Sequence, residues 1–79
     1  MSYHNKTNKL FQSIVNSRGQ EFHVGMTVHV YWQTWAATLG EVVKIEQRWF
    51  DTQPSILVHW FTNGREGLHD PDNLVPYCI

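Results

Sequence analysis

The strongest constraint on the fold is a run of alternating residues, MTVHVYW, at positions 26–32. Apolar side chains recur at every second position from Met26, and Thr, His and Tyr lie between them. Because successive side chains of a strand point to opposite faces of a sheet, this period of two predicts a strand with one buried face. Its predicted inward residues are Met26, Val28, Val30 and Trp32.

Four further segments carry strand signals: residues 41–49, 55–61, 65–69 and 75–77. Segment 55–61 has apolar residues on both faces, which predicts a central position in the sheet. In the first two segments, alternation predicts the inward residues Val43, Ile45, Ile56, Val58 and Trp60.

Turn residues separate these segments. Gly40 precedes the segment 41–49 and predicts a bulge or a tight bend there. Asn63 and Gly64 supply the positive φ angles that a tight hairpin needs. DPDNL at 70–74 is typical of a capped single turn of 3₁₀ helix. Pro76 predicts an edge position for the last strand, because proline donates no ladder hydrogen bond.

The length of the chain limits this pattern to one domain. Its 79 residues show no internal repeat and no Gly/Ser-rich linker, and four Trp, four Phe and three Tyr suit a compact β core. Residues 1–9 are polar and aperiodic, so we expect a flexible leader there. Residues 10–79 then form the domain. Its N-terminal extension, residues 10–23, fits either a hairpin around Asn-Ser-Arg-Gly or a short helical turn.

Charge and cysteine content restrict the partner and the compartment. Six Lys and Arg against seven Asp and Glu give a formal charge of −1, whereas binding dominated by phosphate contacts calls for a basic stripe. The single cysteine, Cys78, leaves no internal disulfide and fits a reducing compartment. No apolar run approaches the ~18 residues that span a bilayer, and no secretory leader is visible. We therefore expect a cytoplasmic protein with no membrane partner.

Three segments together have the order of a known small barrel. VGMTVHV at 24–30 provides a turn and an opening strand, LGEVVKIE at 39–46 a second strand, and VHWFTNGREGLHDPDNLVPY at 58–77 the closing strands and turns. This order resembles that of SH3-like small β-barrels of the Tudor and KOW type. The resemblance covers residues ~24–77 and implies an all-β, five-stranded barrel preceded by the N-terminal extension.

The resemblance also implies a ligand site at one barrel end. Tudor-like domains bind methylated Lys or Arg in a cage of aromatic rings, which attract a desolvated cation by ~0.5–2 kcal/mol. The matching positions here are Tyr31, Trp32, Trp35, Trp60 and Phe61. Alternation gives Trp32 and Trp60 the alternative role of core residues, whereas Trp35 and Phe61 are better candidates for exposure.

A second candidate surface lies where segment 41–49 gives way to a loop. Arg48, Trp49 and Phe50 are adjacent there, and Trp and Arg are enriched at interface hot spots. If exposed, the two aromatic residues would form a patch for a partner and favour self-association. The alternative is that LFQSIV at 10–15 packs over them.

Five histidines raise the question of a metal site. His59 and His69 flank the Asn-Gly hairpin, and His/Asp sets can bind zinc. No pair has tight ligand spacing, and His29 and His59 fall on outward faces where they could be cross-strand neighbours. Ordinary solvated histidines are therefore the favoured interpretation, with no metal and no cofactor.

Lys44, Arg48 and Arg65 are basic residues with aromatic residues between them, as in proteins that bind single-stranded nucleic acid. Three acidic residues on the outward faces, Glu41, Glu46 and Glu66, offset that field. A mixed, solvated surface is thus favoured over a nucleic-acid interface.

Catalysis has little support in the sequence, because no nucleophile elbow, paired carboxylates or phosphate-binding loop is present. We expect a non-catalytic binding or adaptor module for a protein or peptide, with its oligomeric state open. The alternatives are a KOW- or Tudor-type nucleic-acid module and an accessory subunit of a larger enzyme. The candidate partner-binding residues are Tyr31, Trp35, Arg48, Trp49, Phe50, His59, Phe61 and Arg65.

Overall fold

A computed structural model describes residues 7–32 and 38–77, and this part of the chain is all-β, as predicted. Its strands are β1 Lys9–Phe11, β2 Ser13–Val15, β3 Glu21–His23, β4 Thr27–Val30, β5 Gly40–Gln47, β6 Ser55–Trp60, β7 Glu66–His69 and β8 Leu74–Pro76. One 3₁₀ turn, Pro71–Asn73, lies between β7 and β8. The described residues contain no α-helix, and none of their elements is a helix long and apolar enough to cross a membrane.

The main sheet has the antiparallel order β7-β6-β5-β4-β8. Strand β5 is long enough for two partners on one edge: β4 pairs near its start, with Val28 opposite Gly40, and β1 pairs at its end, with Lys9 opposite Gln47. Strand β6 is central, as predicted, and Pro76 lies on the edge strand β8. Strands β7 and β8 lie at the two ends of this order.

The N-terminal extension is a hairpin, so the alternative of a helical turn is wrong. Strands β2 and β3 form a separate two-stranded sheet, with Ile14 opposite Phe22. Phe22 is completely buried and belongs to the main hydrophobic core, a burial that stabilises the fold by roughly 1.5–3 kcal/mol. The hairpin therefore completes the core.

The core has eight buried side chains, and they come from five different strands. Half-buried Phe11, Ile14, Met26 and Trp60 pack against them. The buried residues are Phe22, Val28, Val30, Val42, Ile45, Ile56, Val58 and Leu74.

Two predicted core positions are wrong. Trp32 is 64% exposed, because β4 ends at Val30 and the chain turns before the indole could reach the interior. Val43 is also exposed, because a bulge between Val42 and Lys44 interrupts the alternation of β5. As a result Val42 occupies the buried position and Ile45 keeps its own.

Gly40 serves close packing, and the predicted bulge lies further along β5. A Cβ atom on Gly40 would lie 2.5 Å from Cγ1 of Val58, 2.8 Å from Cε3 of Trp60 and 2.9 Å from the carbonyl oxygen of His59. Only glycine leaves room there for the Trp60 ring, which lies directly opposite on β6.

The predicted turns around Gly64 and Pro71 are confirmed, but the positive φ predicted for Asn63 is wrong. Five residues, 61–65, connect β6 to β7, and Gly64 alone among them has a positive φ. Gly64 has a φ of 71°, in the region that favours glycine. Asp70 caps the 3₁₀ turn, because its Oδ1 accepts a 2.8 Å hydrogen bond from the backbone N–H of Asp72. The buried Asn16 links this turn to the N-terminal hairpin by donating from Nδ2 to the carbonyl oxygen of Pro71 at 3.2 Å.

Candidate functional site

The predicted site residues fall into two groups at opposite ends of β5. Tyr31, His59, Phe61 and Arg65 lie near the end where β4 and β6 finish, whereas Arg48, Trp49 and Phe50 form the loop between β5 and β6. Gly40 pairs with Trp60 at the first end and Glu46 with Ser55 at the other. Six residues of strand span about 20 Å, so the two groups form separate surfaces. Trp35 lies outside the described residues.

The loop between β5 and β6 begins with a tight turn over Arg48–Asp51. The N–H of Asp51 donates to the carbonyl oxygen of Arg48 at 2.9 Å, which leaves Trp49 and Phe50 as the two central residues. The Asp51 carboxylate in turn accepts from Arg48 three times: from the backbone N–H at 3.1 Å, from Nε at 2.8 Å and from an Nη at 3.3 Å. Gln47 also donates to the Asp51 carbonyl oxygen at 3.0 Å.

Electrostatics at this turn keep both ionic groups charged. The hydrogen bonds from Arg48 lower the pKa of Asp51, and the bond to Asp51 raises the pKa of Arg48. The ion pair therefore persists over the whole physiological pH range. The three hydrogen bonds between these two residues fix the shape of the turn. The pair is partly exposed, with 39% of the Arg48 side chain and 16% of the Asp51 side chain accessible, so its contribution to global stability is modest.

The turn presents both of its aromatic rings to solvent. Trp49 is 53% exposed and Phe50 58% exposed, and their ring centroids lie 5.3 Å apart at 85°, an edge-to-face contact. The Arg48 guanidinium lies 4.8 Å from the centroid of the Phe50 ring. The alternative in which residues 10–15 cover these rings is wrong, since Leu10 is itself 69% exposed.

The segment before β1 supports the turn from the side. Asn8 accepts a hydrogen bond from the N–H of Trp49 at 3.3 Å and donates to Oε2 of Glu46 at 2.7 Å. A shallow depression of about 410 Å³ lies between this segment and the turn. It is lined by Thr7, Lys9, Gln47, Arg48, Trp49 and Asp51.

Sequence reasoning missed Asn8 and Asp51. Asp51 lies three residues after Arg48, which is the span of one β-turn, but this residue pair is not among the usual turn signatures. The role of Asn8 depends on the pairing of β1 with the end of β5. Asn8 and its partner Glu46 are 38 residues apart along the chain, so no local sequence signal predicts this contact.

At the other end, the described residues do not assemble an aromatic cage. The face of the Tyr31 ring is already in a cation–π contact with the Arg18 guanidinium, which lies 4.5 Å from the ring centroid. Arg18 is held there by hydrogen bonds to the carbonyl oxygens of Asp72 at 2.8 Å and Leu74 at 3.1 Å. Trp60 packs against the core, so it is withdrawn from that surface.

His59, Phe61 and Glu66 form a small cluster on the outer face. The His59 Nδ1 atom lies 3.7 Å from Oε2 of Glu66, and its ring lies 6.2 Å from the Phe61 ring. Arg65 is exposed beside them, and its backbone N–H donates to Oδ1 of Asn63 at 2.9 Å.

The idea that His29 and His59 are cross-strand neighbours is wrong. His29 lies on β4 and His59 on β6, and β5 runs between these two strands. Over residues 7–32 and 38–77, no group of three or more His, Cys, Asp or Glu side chains is arranged to hold a metal ion.

Comparison with known proteins was made at three levels: family models, curated proteins and solved structures. None of them matches this chain. The candidate site is thus defined by its own geometry. The Arg48–Asp51 turn is the most distinct arrangement of the predicted site residues, because it combines solvent-exposed aromatic rings with a backbone fixed from both sides.

Proposed function

We propose that this chain is a non-catalytic binding module of the SH3-like type that docks onto a partner protein through the Arg48–Asp51 turn. The strand order β7-β6-β5-β4-β8 supports the fold assignment. In this order β8, the last of these five strands along the chain, pairs with β4, which is the first of them. Barrel closure would bring β7 and β8 towards each other, and inter-proton distances across these strands in solution would test it.

The observation that carries the functional proposal is the solvent exposure of the edge-to-face Trp49–Phe50 pair on a fixed turn. Each aromatic side chain can bury ~150–250 Å², and binding hot spots are enriched in Trp and Arg. Because the turn is already held by Asp51 and Asn8, little conformational entropy remains to be lost when a partner covers it. The turn is thus suited to insertion into an apolar recess on the partner.

The charges nearby favour a protein over a nucleic acid. Arg48 is neutralised by Asp51 at 2.8 Å, and Lys44 lies 3.3 Å from Glu46. Phosphate binding would have to break these pairs, and the formal charge of −1 supplies no general attraction to a polyanion. A gel shift with single- and double-stranded oligonucleotides at low salt tests this alternative, and we expect no retardation.

A role as accessory subunit of a larger enzyme is a special case of the same proposal. The partner would then be one large protein, present in a fixed ratio to this chain. Co-purification separates the two cases, because an adaptor is expected to be retained in substoichiometric amounts and a subunit in constant stoichiometry.

The decisive test compares two exposed tryptophans at opposite ends of the molecule. Trp49 is 53% exposed on the turn and Trp32 is 64% exposed beyond β4, so Trp32→Ala is a matched control for Trp49→Ala. Tagged versions of the wild type and both variants are expressed in the native host, and the retained proteins are quantified by mass spectrometry.

We expect Trp49→Ala to reduce retention of at least one protein by about tenfold or more, because truncating an aromatic hot spot typically costs about 2 kcal/mol or more of binding energy. Trp32→Ala should retain that protein at the wild-type level. The reverse pattern, with retention lost in Trp32→Ala alone, would contradict the proposed site. Thermal unfolding of both variants checks that neither change affects the fold.

A further inference from the structure

Strand β2 has an open edge. It pairs with β3 alone in the described structure. Gln12 accepts from the N–H of Val24, and the N–H of Asn16 donates to Gln20, so these positions face β3. Because hydrogen-bonded and non-hydrogen-bonded pairs alternate along an antiparallel ladder, the N–H and C=O groups of Ser13 and Val15 point away from β3.

This edge faces a groove of about 350 Å³, at the lower end of the size range for ligand sites. Consecutive residues of the β2 region, 13–17, line one side of the groove. This indicates that the edge of the strand lines it, because the face of a strand would contribute only every second residue. The opposite wall comes from the loop before β6 and from the 3₁₀ turn. The lining residues are Phe11, Ser13, Ile14, Val15, Asn16, Ser17, Gln53, Pro54, Asp70, Pro71 and Asp72.

The groove combines apolar surface with negative charge. Its lining includes two carboxylates, those of Asp70 and Asp72, and neither Lys nor Arg; Arg18, which binds the carbonyl oxygen of Asp72 from outside the groove, offsets part of this charge. The Ser17 hydrogen bonds, among them that from its N–H at 2.9 Å, lower the pKa of Asp72, so this carboxylate is ionised at neutral pH. Asp70 accepts from Gln53 at 3.0 Å and from the N–H of Asp72. A complementary ligand therefore carries apolar and basic side chains.

Strand β2 also lacks the usual protection of an edge. Open edges are commonly blunted by proline, lysine or a bulge, because exposed backbone groups template the pairing of another strand. Pro76 provides this protection on β8, whereas Ser13, Ile14 and Val15 contain none of these features and Val15 is exposed.

We propose that the β2 groove binds an extended, basic segment of a partner protein as an added strand. Backbone hydrogen bonds to Ser13 and Val15 hold the segment, an apolar side chain contacts the apolar lining of the groove, and a Lys or Arg lies beside Asp70 and Asp72. This site is distinct from the Arg48–Asp51 turn, because its lining shares no residue with the depression beside that turn, although Gln53 and Pro54 belong to the same loop.

The test uses the full chain labelled with ¹⁵N and a capped peptide of sequence Lys-Val-Thr-Val-Lys at millimolar concentration. We expect saturable amide shifts centred on Ser13 and Val15. The same peptide N-methylated at its three internal amides should bind at least about tenfold more weakly, because it lacks the backbone donors. A version with Glu in place of both Lys should also bind more weakly. Equal binding of the methylated peptide, shifts centred on the Arg48–Asp51 turn, or no shifts at all would each overturn the proposal.

A variant of the protein provides the complementary test. Val15→Pro removes only an N–H that faces the groove, and proline is tolerated at an edge position of this kind. It should abolish peptide binding, while the control Val15→Thr should retain it. If Val15→Pro does not fold, the methylated peptide decides the question alone. Sedimentation of the chain without peptide tests a second copy as the occupant, and a dimer that Val15→Pro dissociates would overturn the assignment to a partner segment.

Discussion

The indole Nε1–H of Trp60 donates a 3.2 Å hydrogen bond to Nε2 of His69 across strands β6 and β7. Their rings meet edge to face, with centroids 5.2 Å apart at 87°. Gly67 lies beside this contact on β7, and a Cβ there would lie at an ordinary distance of 3.5 Å from His69 Nε2, so the contact does not require a glycine. Since Nε2 acts as the acceptor, this His69 is neutral and carries its proton on Nδ1.

This hydrogen bond predicts that acid destabilises the fold. Burial lowers the folded-state pKa of His69 below its ordinary value of 6.5, so the unfolded chain binds the proton more readily. The stability that the neutral, partly buried His69 contributes is fully present above pH 6.5, and it is lost as the pH falls through the lowered folded-state pKa of His69. We expect the melting temperature of the wild type to fall more steeply between about pH 7.5 and pH 5 than that of His69→Gln.

His59→Gln is the control for this experiment, because His59 is partly exposed on the outer face of the same sheet. It should keep the steep pH dependence of the wild type. Parallel pH profiles for the wild type and His69→Gln would show that His69 does not couple protonation to folding.

Gly40→Ala is expected to destabilise the domain by about 1–3 kcal/mol, the range for overpacking a core. The added methyl group would meet Val58, the Trp60 ring and a backbone oxygen, all within 3 Å, and the backbone oxygen has little freedom to move. Urea unfolding measures the loss. Gly67→Ala is the control, because its Cβ finds its nearest neighbour at an ordinary distance of 3.5 Å. A larger effect at Gly67 than at Gly40 would contradict this packing.

Asn16→Ala should destabilise the domain by about 1–3 kcal/mol, because it leaves buried backbone groups without partners. The Asn16 Oδ1 accepts from the N–H groups of Arg18 and Gln20, and its Nδ2 donates to Pro71. Asn63→Ala is the control, since Asn63 makes a similar turn contact to Arg65 at an exposed position. If the urea midpoints of Asn16→Ala and Asn63→Ala shifted equally, the buried hydrogen bonds of Asn16 would not be important for stability.

The sequence predicts the strands from Thr27 onward well, because each follows a period of two between clear turn signals. The errors at Trp32 and Val43 have local causes: a strand that ends early and a bulge that resets the alternation. Residues 10–15 were ambiguous because Leu10, Phe11, Ile14 and Val15 also fit helical spacing. The hairpin is favoured there because it pairs Ile14 with Phe22 and buries Phe22 among core residues that are distant along the chain.

The candidate site was predictable in composition and not in arrangement. Arg48, Trp49 and Phe50 stand out as adjacent residues at a strand end, yet their exposure depends on where β1 pairs. The length and register of β5 separate them from Phe61, and this register is a property of the whole sheet. The exposed aromatic residues at the two ends of β5 therefore lie about 20 Å apart, although the sequence makes them candidates for the same kind of site.

Asp51→Asn should weaken partner binding while leaving the fold intact. The substitution removes the charge that holds Arg48 and so loosens the turn that presents Trp49 and Phe50. We expect retention of the partner to fall several-fold, with a melting temperature close to that of the wild type, since an ion pair at a partly exposed turn contributes little to stability. Glu66→Gln, which removes an exposed carboxylate at the start of β7 away from the turn, serves as the control. Undiminished retention by Asp51→Asn would show that the ion pair does not shape the binding surface.

The most direct measurement of the central claim is site-specific photo-crosslinking in the native host. A benzophenone amino acid replaces Phe50 in one protein and Trp32 in another, and both positions are more than half exposed. A partner that covers the Arg48–Asp51 turn predicts a discrete crosslinked product from position 50 and none from position 32. A product from position 32 alone, or no product from position 50, would contradict the proposed role of this turn.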